Sequence, residues 1–138
     1  DLIDFVPSAD VPISDVVKCL GWTIHCTGSI YAQWPLAVRQ AWGIFSSNLR
    51  CRDWKRLGIQ RRLDLLGKCV GSFLLHRLSL WPASETICKK LGRIQRHMVA
   101  RALGLYELSV ESVKTYFKRC SDEARKCIGS TICNWSLR

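Results

Sequence analysis

At 138 residues, with 48% hydrophobic residues and a formal net charge of +10, the sequence fits one globular domain and excludes a disordered, charge-dominated chain. No apolar run approaches the ~20 residues that a membrane-spanning helix needs. Thirteen Lys/Arg against three acids lie between Arg50 and Arg101, so this block carries the whole excess charge. Such a concentration points to a polyanionic partner.

Residues 1–15 read as an irregular lead-in. Pro7 and Pro12 punctuate it, and Asp1, Asp4, Asp10 and Asp15 carry its charge. It is acidic and too short of apolar length for a secretory signal. Beginning without Met, the chain reads as a piece of a longer or processed protein. From Val16 to Cys26 the pattern is that of a strand or short hairpin. Val16, Lys18, Leu20, Trp22, Ile24 and Cys26 form the more apolar parity, expected to face the core. Thr27-Gly28-Ser29 is a turn.

A helix is expected over 30–49, with Pro35 in its first turn. Trp34, Val38, Ala41, Trp42, Phe45 and Leu49 make an apolar stripe, read as core rather than as a base-stacking surface. The connector over 50–60 places Arg50, Arg52, Lys55 and Arg56 around Trp54. Cations interleaved with an indole suit a phosphate-tracking surface, where the ring stacks on a base or sugar. The competing reading is a loop whose Trp54 caps the core while its cations face water.

Two basic amphipathic helices follow. Leu63, Leu66, Val70, Phe73 and Leu74 share one face of the first, with Arg61, Arg62, Lys68 and Arg77 outside it. Trp81-Pro82 breaks the chain, because proline lacks a backbone donor and disfavours a helical residue before it. Ile87, Leu91, Ile94, Met98 and Ala102 line the second helix, with Ser84 as expected N-cap and Gly104 as C′. Lys89, Arg93 and Arg96 form a cationic ridge on it, which repels itself unless an anion neutralises it. His76 and His97 read as surface or boundary residues. A last helix is expected from about Val110 to Gly129, capped by Ser109 and with Glu111 near its positive end. Val113, Phe117, Cys120, Ala124, Cys127 and Ile128 form its apolar face.

The eight cysteines contain no C-x-x-C. They are expected as reduced, mostly core-packed thiols of an intracellular protein. Zinc held by His25, Cys26 and distant cysteines is the less favoured reading.

The order of these features resembles the region after the catalytic palm in reverse transcriptases of LINE-type (non-LTR) retrotransposons. Lys18-Cys19-Leu20-Gly21-Trp22-Thr23-Ile24 is similar to that family's Tyr-Leu-Gly strand, with Cys19 where an aromatic is usual. Trp81 matches the aromatic turn, Leu91, Gln95 and Arg96 the centre of the second helix, and Leu103 and Gly104 its end. Trp135 and the residues after it look like the start of the family's further Trp- and Arg-containing sequence. The resemblance implies a thumb-like domain over 16–135, with Leu20 and Gly21 in a primer-grip-like position. It also implies a palm domain in cis, in the same polypeptide, carrying a Tyr-x-Asp-Asp box and two divalent metal ions, magnesium by expectation. No Asp-Asp pair occurs in this sequence. The expectation for this chain is therefore no catalytic residue, no metal ligand and no cofactor of its own.

The expected fold is mainly α: a short N-terminal β-strand or hairpin followed by a four-helix, thumb-like bundle. The expected function is sequence-indifferent contact with a primer–template backbone (RNA–DNA hybrid, RNA or DNA) through Arg50, Arg52, Trp54, Lys55, Arg56, Arg61, Arg62, Lys89, Arg93 and Arg96. No membrane is expected, and the setting is the nucleus or cytoplasm. The alternative is a free-standing basic helical domain that binds nucleic acid or an acidic protein.

Overall fold

A computed structural model of the chain describes residues 15–19, 22–26, 30–79 and 84–137. Architecture is mainly helical, as expected. Contacts cluster into two compact units, Asp1–Pro35 and Leu36–Arg138.

In the first unit, β1 (Val16–Cys19) and β2 (Trp22–His25) form an antiparallel hairpin whose register pairs Val16 with His25 and Cys19 with Trp22. A hairpin is one of the two forms expected over Val16–Cys26. Leu20, Gly21 and the Thr27-Gly28-Ser29 turn lie outside the described residues. Helix α1 (Ile30–Arg50) begins in this unit and runs into the second. Pro35 falls in its second turn rather than its first, so one i→i−4 bond is missing where the two units divide.

In the second unit the core is built from the stripes read in the sequence. Ala41 and Phe45 of α1 are buried, and Trp42 packs edge-on to Phe45 with ring centroids 5.7 Å apart. Helices α2 (Ile59–Leu66) and α3 (Ser72–Leu78) are one rod interrupted by a π-helical turn, Gly67–Gly71. Leu63, Leu66, Val70 and Leu74 are buried along it. Counting this rod once gives four α-helices among the described residues, with α1, α4 (Glu85–Leu103) and α5 (Val113–Cys127).

Helix α4 is central. It packs on α2, on α5 and on the C-terminal 3₁₀ turn Trp135–Leu137, and Ile87, Leu91, Met98 and Ala102 are buried. The Ser84 carbonyl accepts from the Cys88 N–H at 2.9 Å, but its hydroxyl makes no capping bond. At the other end Gly104 adopts φ 75°, and the N–H groups of Gly104 and Leu105 reach back to the Arg101 and Ala100 carbonyls. This is the left-handed helix stop that glycine permits. Trp81-Pro82 lies outside the described residues.

The N-cap of α5 is Ser112, not Ser109: its Oγ accepts from the Thr115 N–H at 3.2 Å. Glu111 sits before the helix, where it accepts from the Leu108 N–H and holds Arg119 in a two-pronged ion pair. That pair, with the Leu108 N–H bond, holds the Glu111 carboxyl below its ordinary range. Cys120 and Ala124 are buried as expected, but Val113 and Phe117 are exposed, so only the C-terminal half of the α5 stripe is covered.

The chain beyond α5 turns back into the core. Gly129, at φ 95°, donates to the Ile132 carbonyl at 2.7 Å. Ile132 and Trp135 are then buried against the glycines of the π turn. A Cβ on Gly71 would stand 2.7 Å from Trp135 Nε1, and one on Gly67 would stand 3.5 Å from Ile132 Cγ1. The fully buried Gln95 of α4 fixes this segment. Its amide nitrogen donates to the Cys133 carbonyl at 2.6 Å, and its oxygen accepts from the Trp135 N–H at 3.1 Å. Among the described residues no helix is long and apolar enough to cross a membrane.

Candidate nucleic-acid interface

The cations of α4 form a longer array than the expected ridge. Lys89, Arg93, His97 and Arg101 recur every fourth residue, so they lie along one row of the helix surface, and all are exposed. The row rises about 18 Å along the axis, the span of roughly five nucleotides of one strand. Arg96 sits beside it, half-buried, facing α5. Arg101 also lies over the Trp42 ring, 5.4 Å from its centroid.

Within this array the charges oppose one another. Loss of surrounding water lowers the Arg96 pKa first, and the charges of Arg125 and Arg93 lower it further. His97 is pushed below the ordinary histidine value of 6.5 by partial desolvation, and then by Arg96, Arg101 and Arg93. Among the described residues, Arg93, Arg96 and Arg101 form no ion pair with a carboxylate. Lys89 does, with Glu85, but both groups are about three-quarters exposed or more and the pair is weak. Because the folded protein disfavours charged His97, this ring costs no stability above pH 6.5. A small cost develops as pH falls through that value toward the folded pKa. The His97 ring followed by NMR in low-salt buffer should titrate below 6.5, and saturation with a polyanion should raise its pKa. A free-protein value at or above 6.5 would contradict the repulsive cluster.

The connector divides into two kinds of residue. Arg50, Arg52, Lys55 and Arg56 are exposed, as is Arg61 at the start of α2; Arg56 stands 3.8 Å from Asp53 in an exposed ion pair. Trp54 is 5% exposed, with its ring edge-on to Phe45 at 6.4 Å. Packed in this way it caps the core, which is the competing reading of the connector, and only a small part of the residue is exposed. Arg62 is engaged within the fold as well. Its guanidinium donates to the carbonyls of Leu57 and Lys55 at 2.9 Å, of Trp54 at 3.1 Å and of Ala102 at 3.5 Å. Arginine has no acceptor and many donors, and here they close the connector onto α2 and the end of α4.

Two recesses show which cations the fold brings together. Lys55, Arg62 and Arg101 line one of about 410 Å³, floored by Leu49 and Trp54 and walled by Tyr106 and Tyr116. Arg93, Arg96 and His97 line a second of about 280 Å³ between α4 and α5, with Ala100, Phe117, Cys120 and Ser121. The connector and the α4 array are therefore joined through Arg101. Sequence reasoning put Arg101 outside the apolar stripe and read His97 as a surface or boundary residue, but placed neither of them, nor Arg125, in the site. The four-residue spacing of the first two was a usable signal; Arg125 joins only because α5 packs on α4.

Cys51, Cys69, Cys88, Cys120, Cys127 and Cys133 are free thiols: Cys120 is buried, Cys69, Cys88 and Cys127 are half-buried, and Cys51 and Cys133 are exposed. Among the described residues no three His, Cys, Asp or Glu side chains gather into a possible metal site. Comparison with protein-family models, curated proteins and solved structures finds no match to this chain.

Proposed function

We propose that the exposed face of α4, with the connector that joins it at Arg101, binds the phosphate backbone of a nucleic acid. The observation that carries this reading is the row Lys89, Arg93, His97 and Arg101 with Arg96 beside it, whose arginines face one another rather than carboxylates. Concentrated like charge costs a folded protein stability and is relieved when a polyanion occupies it. Phosphate contacts position a strand without reading its bases, so binding is sequence-indifferent. Taken with the resemblance over Lys18–Ile24 and Leu91–Gly104, the reading extends to a thumb-like grip on the primer–template of an RNA-directed DNA polymerase. The aspartate pair and two divalent metal ions of that polymerase belong to a palm domain outside this sequence.

The test is the salt dependence of binding to a labelled RNA–DNA hybrid. Each phosphate contact contributes about −0.9 to the slope of log K against log salt on a duplex. Replacing Arg93, Arg96 and Arg101 together by Gln should flatten that slope by about two to three. An unchanged slope removes α4 from the interface.

A second reading is favoured by one observation. Tyr106, Leu108 and Val110, before α5, and Val113 at its start are all more than half exposed, Val110 at 93%. An apolar patch of that kind suits a protein partner. If an acidic protein is the ligand, excess unrelated duplex will fail to displace it.

A further inference from the structure

Resting on the nucleic-acid reading above, we infer that the recess between α4 and α5 takes an unpaired nucleotide, with the base against Phe117 and the phosphate on Arg93 and Arg96. The site joins three kinds of surface. Ala100 and Cys120, both less than a tenth exposed, give it an apolar floor. Phe117 is 57% exposed although it lies on the apolar side of its helix. Arg93 and Arg96 line the same recess from α4, and neither is paired with a carboxylate among the described residues.

An aromatic face beside guanidinium groups is what single-strand recognition uses: the ring stacks on any base, and the cations neutralise the adjoining phosphate. A base-paired nucleotide keeps both faces within its own stack and cannot meet Phe117. The recess therefore discriminates between strands by pairing state and not by sequence. In this protein Phe117 offers an exposed ring, whereas the connector's Trp54 is buried.

The experiment compares a short labelled oligothymidylate with a blunt duplex by fluorescence anisotropy at one salt concentration. The proteins are the unmodified chain, Phe117→Ala, Phe117→Trp and Arg93→Gln/Arg96→Gln. Phe117→Ala should lower single-strand affinity by about fivefold to a hundredfold, the worth of one stacked base, and leave duplex affinity unchanged. Phe117→Trp should retain single-strand binding, and an abasic strand of equal charge should not distinguish Phe117→Ala from the unmodified chain. Because Phe117 is exposed, its replacement spares the core, and unchanged thermal melting verifies this. Competition by free thymidine monophosphate that is lost in Phe117→Ala would support the recess and show that it accepts the free nucleotide as well as the strand. If Phe117→Ala weakens both ligands equally, or neither, the recess is overturned. The nucleic-acid reading survives that result if Arg93→Gln/Arg96→Gln still weakens binding, and falls if it does not.

Discussion

Trp135→Ala is expected to cost about 3–5 kcal/mol of folding stability, the range for truncating a buried tryptophan. Domains of this kind hold only about 5–15 kcal/mol in total, so the loss approaches unfolding at ambient temperature. The reason is the position of the side chain. Trp135 is 1% exposed and is the largest fully buried residue among those described. Its indole lies against Gly71, where the π turn leaves no side chain. Removing the ring opens a cavity that glycine cannot collapse to fill. Trp135→Phe should cost less, because the indole N–H is buried without an acceptor among the described residues and phenylalanine removes that unpaired donor. Gly71→Ala acts on the same contact from the other side. Its new methyl group would sit 2.7 Å from the indole nitrogen, and one of the two elements must move. Urea unfolding of the three variants checks this. A Trp135→Ala loss below about 1 kcal/mol would show that the C-terminal segment is a peripheral flap, given the expected range.

Gln95→Leu is the second large effect, at about 1–3 kcal/mol. Leucine matches the volume and restores the apolar character of the helix face, so packing alone predicts little change. The Cys133 carbonyl and the Trp135 N–H, however, would both lose the partner that Gln95 supplies. The stranded Trp135 N–H is buried and costs about 1–3 kcal/mol, while the carbonyl of exposed Cys133 lies in a part-buried bond and adds less. A stability within about 0.5 kcal/mol of the unmodified protein would mean that water or a shifted backbone satisfies both groups, in place of the ordinary cost of an unmet bond. Gln95→Glu separates the two roles of the amide, keeping an acceptor for the Trp135 N–H while losing the donor to Cys133.

Four apolar stripes and their helices were legible in the sequence because each depends only on local periodicity. Leu63, Leu66, Val70 and Leu74 on one rod, and Ile87, Leu91, Met98 and Ala102 on another, are buried where their spacing puts them. Gly104 ends its helix for a reason visible in one residue. What was not legible depends on long-range partners. The π turn gives no periodic signal; it is intelligible only once Ile132 and Trp135 are seen against Gly67 and Gly71. Gln95 lies some forty residues from the groups it bonds. Val113 and Phe117 carry the right spacing for core, and only the extent of α4's cover shows that they are exposed. At the candidate site the cations were foreseen as a population, but their separation into exposed Arg93 and structural Arg62 required the fold. Trp54 shows the limit most clearly, because a tryptophan among arginines has the same sequence signature whether it stacks on a base or seals a core.

The closure of the C-terminal segment sets an order on biosynthesis. As the chain leaves the ribosome, residues up to Cys127 supply the α-helices of the described residues, yet the space that the Trp135 ring fills beside the π turn stays open until Trp135 emerges. Until then Gly71 faces an unfilled space and the amide of Gln95 lacks its ligands. The helices can form early, but their side chains lock only after Trp135 has been translated and released from the exit tunnel. A nascent chain stalled just short of that point would present helical secondary structure with a loose interior. It would be a substrate for chaperones and proteases, whereas a chain whose Trp135 has packed against Gly71 would not.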